Sequence, residues 1–118
     1  LARRVATTHR DACCAAVVLD RDDEFVTGLA AVDGAGLADL AEHVVGDPRW
    51  LGETVRVVYI EPRSRPRPSL ADLACWHDLV ARHEERGITL MDWMLVDGRT
   101  GRVRSMARRF GGASALHV

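Results

Sequence analysis

Apolar positions along the chain fall into blocks whose period changes. Residues 12–20, ACCAAVVLD, are small and apolar almost without interruption, which predicts a buried strand. After the turn RDD at 21–23, EFVTGLAAV at 24–32 predicts a second strand, and the two make a hairpin. In GAGLADLAEHVV, 34–45, Leu37, Leu40, Ala41 and Val44 recur at helical spacing, so one face is apolar, and the helix must end before Pro48. Over 54–61 the period returns to two, which puts Val55, Val57, Tyr59 and Glu61 on one face of a third strand.

The next segment, PRSRPRP, is a loop, because its prolines suit neither a ladder nor a helix. Ser69 opens a second helix that runs to about residue 86 and stops at Gly87. ITLMDWMLVD, 88–97, is nearly all apolar and predicts a fourth strand at the centre of the sheet. The turn at 98–101 leads into RVRSMA, 102–107, a short final strand. The order β-β-α-β-α-β-β predicts an α/β (α+β) chain, a mixed sheet flanked by helices. With 118 residues it forms a single domain, 1–118, large enough for one core.

Composition narrows the picture a little. A net charge of −1 gives no global reason for a nucleic acid or membrane partner, and all sixteen basic residues are arginine. Cys13, Cys14 and Cys75 have no ligand spacing, and neighbours on a strand face opposite ways, so three reduced, mostly buried thiols in a cytoplasmic protein are expected. No stretch has the length of a membrane span, and no signal pattern opens the chain. It begins at Leu1 without a methionine, as a piece trimmed from a longer protein would.

Two motifs carry a resemblance. Tyr59-Ile60-Glu61-Pro62 ends the third strand, and Pro68-Ser69-Leu70-Ala71-Asp72 opens the helix, with ten residues between Glu61 and Asp72. GITLMDWMLVDG follows at 87–98, and Ser105 lies in the last strand. Together these resemble the bacterial, RadC-type branch of the JAB/MPN metalloprotease-like domains, over roughly 10–108 and most strongly over 54–106. That family has His-x-His-Pro, then Pro-Ser-x-x-Asp at the same interval, and a later strand of the form GI-x-LLDHIIVG.

The resemblance implies a cytidine deaminase-like JAB/MPN architecture and a zinc hydrolase ancestry. In active members two histidines and the aspartate hold zinc, an upstream glutamate is the base, and the serine assists the oxyanion. Here Tyr59 and Glu61 stand for the histidines, Trp93 stands where a histidine is usual, and Asp11 or Ala12 lies near the place of the base. A phenol is a poor zinc ligand at neutral pH, and an oxygen-only set suits a hard cation better. The implied pocket is therefore degenerate: Tyr59, Glu61, Ser69, Asp72 and Asp92, with only Glu61 and Asp72 as candidate metal ligands, and no bound cofactor expected. Independently of any family, Ser69-x-x-Asp72 reads as a capping box. If Glu61 faces Asp72, two close carboxylates need a positive partner, and Arg63, Arg65 or Arg67 could fold over them.

The remaining candidates have plainer readings. His77 and His83 are six apart, off the spacing that places two imidazoles together, and are read with His9 and His43 as surface or rim residues. Trp76 and Trp93 are expected to pack helix on sheet, and Trp50 to cap a loop. Arg99, Arg102, Arg104, Arg108 and Arg109 have only Asp97 near them; with Arg63, Arg65 and Arg67 they suggest a basic, anion-binding face or a charged edge strand. No aromatics interleave with them as a stacking platform would need. Three readings follow: a metal-free interaction or scaffold module with a protein partner, a homodimer among the options; a nucleic-acid-associated protein; a divergent peptidase or isopeptidase. The first is preferred.

Overall fold

The structure is a computed structural model and describes residues 14–31, 36–64 and 67–111. It is a mixed α+β fold. Strands β1 (Ala15–Asp20) and β2 (Phe25–Ala30) form the expected antiparallel hairpin. Its turn is held by the Asp20 carboxylate, which accepts the backbone N–H groups of Asp22 and Glu24. Strand β3 (Val55–Pro62) pairs antiparallel with β1 and parallel with β4 (Thr89–Val96), and β5 (Val103–Ser105) pairs antiparallel with β4. The sheet order is β2-β1-β3-β4-β5, so β4 is interior, but β3 takes the middle position expected for it.

Helices α1 (Leu37–Gly46) and α2 (Leu70–Glu85) pack on one face of this sheet. The parallel β3–β4 pair requires a crossover, and α2 supplies it. Leu37, Leu40, Ala41 and Val44 of α1 are all buried, in one cluster with Ala16 and Val18 of β1, Val55, Val57 and Tyr59 of β3, and the α2 residues Trp76, Leu79 and Val80. Val80 is likewise spent on the core, while Leu73 of α2 is only half-buried and Leu70 is exposed. The opposite sheet face carries a smaller cluster of Val17, Val58, Ile60 and Val96. The alternation predicted for β3 therefore holds, with odd positions toward the helices and even ones away.

Three further expectations are corrected. The final segment is strand only over Val103–Ser105, after which Met106–Phe110 forms a short helix, α3. Asp92, on β4, accepts the Ala107 N–H at 3.0 Å, a helix-starting bond that local sequence does not announce. Trp50 does not cap a loop; it is buried in the core at the end of a 3₁₀ turn, Pro48–Trp50. His83 is not a surface residue but fully buried. In β4, finally, the pairing skips from Leu90 to Asp92, so Met91 forms a bulge and both Leu90 and Trp93 reach the helix-side core. Asp11, Ala12, Cys13, His9 and Arg65 lie outside the described residues.

Candidate functional site

Glu61 is at the C-terminal end of β3, and Asp72 is in the first turn of α2. The chain between them must turn back over the sheet edge, which brings the two carboxylates to one place. Arg63 stands between them. Its Nη1 donates to Asp72 Oδ2 at 3.0 Å, and its Nη2 donates to Asp72 Oδ1 at 2.8 Å and to Glu61 Oε1 at 3.1 Å. The pairing with Asp72 is a two-pronged guanidinium–carboxylate fork, the strong form of this interaction. Trp93 Nε1 donates to the same Glu61 oxygen at 3.1 Å, and the guanidinium carbon sits 5.7 Å from the Trp93 ring centre.

Asp72 also completes the capping box. Its Oδ2 accepts the Ser69 N–H at 2.9 Å and the Ser69 hydroxyl at 3.0 Å, while Ser69 Oγ accepts the Asp72 N–H at 3.2 Å. The Arg63 hydrogen bonds hold the Asp72 carboxyl below the usual carboxylate range, outweighing burial, which acts the other way. Cys75, one turn further along α2, is half-buried; burial first, then the field of Asp72, Asp78 and Glu61, pushes its thiol up, away from reactivity.

The other pocket residues go elsewhere. Tyr59 lies on the same strand face as Glu61 but is fully buried, and its hydroxyl meets His83 Nε2 at 2.5 Å. His83 Nδ1 is 2.6 Å from the Leu79 carbonyl, an acceptor only, so Nδ1 carries the proton and Tyr59 donates to Nε2. Burial raises the Tyr59 pKa far beyond its ordinary value and lowers that of His83. Asp92 takes the Ser105 hydroxyl at 2.6 Å and its neighbour's N–H, Trp93 N, at 2.8 Å. Three side-chain groups result, Glu61–Arg63–Asp72–Ser69, Tyr59–His83 and Asp92–Ser105, with Trp93 donating to the first through Nε1 and to the third through its backbone N–H.

The zinc ion that the resemblance implies does not suit this donor set. Glu61 and Asp72 already share a cation, and the Tyr59 hydroxyl is a buried donor to an imidazole with its proton held firmly. Among the described residues, no three His, Cys, Asp or Glu side chains group as metal ligands would. Two participants were missed by sequence reasoning. Trp93 was read as packing alone, and nothing local marks its Nε1 as a donor to Glu61. His83 could have been found: the buried stripe Trp76, Leu79, Val80 reaches position 83 by steps of three and four.

The predicted arginines separate into groups. Arg63 is committed to the carboxylates, and Arg102 lies in the exposed turn before β5. Arg67, Arg104, Arg108 and Arg109 line one open groove of about 830 Å³ with Pro68, Met94, Val103 and Ser105. No protein-family model matches the chain, and no curated protein sequence matches it. Among the described residues, no helix is long and apolar enough to cross a membrane.

Proposed function

We propose that the chain is a RadC-type JAB/MPN domain that binds a partner without hydrolysing it, with Arg63 in the electrostatic place of a metal. One observation carries the reading: the Arg63 guanidinium spans Glu61 and Asp72, the two positions that correspond to ligand positions of the resembled family. A carboxylate pair neutralised from within offers no open coordination position for a metal, so the ion that would activate water has no seat there. The motif spacing, the β-β-α-β-α-β-β order ahead of α3 and the convergence of β3 with α2 support the same reading.

Metal analysis of the purified chain, with and without added zinc followed by dialysis, tests it. The expected result is far less than one zinc per chain and the same unfolding temperature with or without chelator. One tightly held zinc per chain, lost together with a hydrolytic activity in Asp72→Ala, would overturn it. Arg63→Ala should leave two carboxylates facing each other and create a weak site for calcium or magnesium, seen as a cation-dependent rise in unfolding temperature that the parent chain lacks.

A further inference from the structure

The chain carries sixteen basic and seventeen acidic residues, so its overall field favours no anion. Their distribution is uneven. Arg49, Arg56, Arg63 and Arg82 each stand within 4.0 Å of a carboxylate. Arg67 ahead of α2, Arg104 on β5, and Arg108 and Arg109 on α3 come together along one groove, and among the described residues no Asp or Glu lines it. Among the described residues none of these four forms an ion pair, and all four are exposed. The topology gathers them, because β5 and α3 sit beside the end of β4, where the loop from β3 also passes.

We propose that this groove holds the phosphate backbone of a nucleic acid. Guanidinium groups match phosphate oxygens in geometry as well as charge. At about 830 Å³ the groove is far larger than one phosphate needs, and its arginines come from three separate elements, an arrangement suited to successive phosphates. Among the described residues no aromatic side chain lines it to stack on bases, so contact is with the backbone and independent of sequence. A lining with four arginines and no acid is also more one-sided than protein–protein contact surfaces, where cores lose charge. The proposal does not rest on the Arg63 reading: metal content tests that one, and salt dependence tests this one.

The test is fluorescence anisotropy of a labelled duplex titrated with the 118-residue chain across a range of salt. Four neutralised phosphates give a slope of log affinity on log salt of about −3.6, or about a hundredfold loss between roughly 50 and 200 mM. Arg104→Gln and Arg108→Gln should each flatten the slope by about 0.9, and Arg99→Gln, outside the groove, should leave it unchanged. Circular dichroism checks that the variants fold, and Arg67→Gln, in the loop, gives the same reading if either does not. Absence of binding at low salt, or a slope that the groove variants do not alter, overturns the proposal. So does displacement of the duplex by polyglutamate as effective as by unlabelled DNA, which would make the groove a surface for acidic peptides.

Discussion

His83 shows how one buried polar side chain sets a pH dependence for the whole chain. Its imidazole is neutral in the fold, since Nδ1–H faces the Leu79 carbonyl and Nε2 accepts from Tyr59, and burial, followed by the nearby Arg82 charge, lowers its pKa. The unfolded chain regains an ordinary histidine near 6.5. Below that value the unfolded state binds a proton that the fold refuses, so stability is complete above about pH 6.5 and falls as pH drops toward the lowered folded value. Urea midpoints at pH 7.5 and 5.5 should differ accordingly, the more acid one lower. Tyr59→Phe removes the donor and leaves Nε2 buried without a partner, at a cost of roughly 1–3 kcal/mol at pH 7.5 by urea unfolding. The type of each residue was plain in the sequence. That they meet, 24 positions apart, depends on α2 lying over β3, which no local pattern encodes.

At the scale of elements, the two helices after β3 start in opposite ways. The start of α2 is local: Ser69 and Asp72 cap it reciprocally three residues apart, and Gly87, at φ +72°, closes it in a conformation that costs a side chain. Spacing alone therefore revealed this helix, with bounds one residue from those observed. The start of α3 is not local. Ser105 Oγ accepts the Arg108 N–H at 3.1 Å, but the Ala107 N–H goes to Asp92, fifteen residues earlier on β4. The bulge at Met91 sets the register in which Asp92 reaches that amide, so a segment read as strand ends in a helix. Ser69→Ala should cost about 1 kcal/mol of stability, the ordinary value of a lost cap. Asp72→Ala removes the reciprocal half of the capping box and also an Arg63 partner, so it should cost more; urea unfolding of the two variants side by side checks the order.

For the molecule as a whole, Arg63 ties the last turn of the sheet's central strand to the first turn of the crossover helix. Its side chain is 27% exposed and that of Asp72 10%, so solvent screens the pair only in part. The Glu61–Asp72 interval was legible as a motif, and the need for a cation between two such acids followed from charge alone. Which arginine supplies it did not, because three candidates lie within five residues and only backbone geometry separates them. Removing the guanidinium with Arg63→Met leaves two carboxylates adjacent with no counter-charge. Complete burial would make this worth roughly 3–5 kcal/mol; at this exposure about 2 kcal/mol is expected near pH 7. The cost must vary with pH in a definite direction. Arg63 holds the folded Asp72 carboxyl below its ordinary value of 3.8, so the stabilisation it gives is present above that value and disappears as pH falls through the folded pKa. Parent and Arg63→Met chains compared by urea unfolding should therefore differ most at pH 6–7 and converge only once pH has fallen below the lowered folded pKa of Asp72, itself under 3.8. The His83 step above it, which sets in below about pH 6.5, should stay common to both chains, because burial, the Leu79 carbonyl and the Arg82 charge set that imidazole's pKa and Arg63 does not. A gap between the two chains that persists unchanged into acid would mean that Arg63 stabilises by packing against Trp93 and not by its charge.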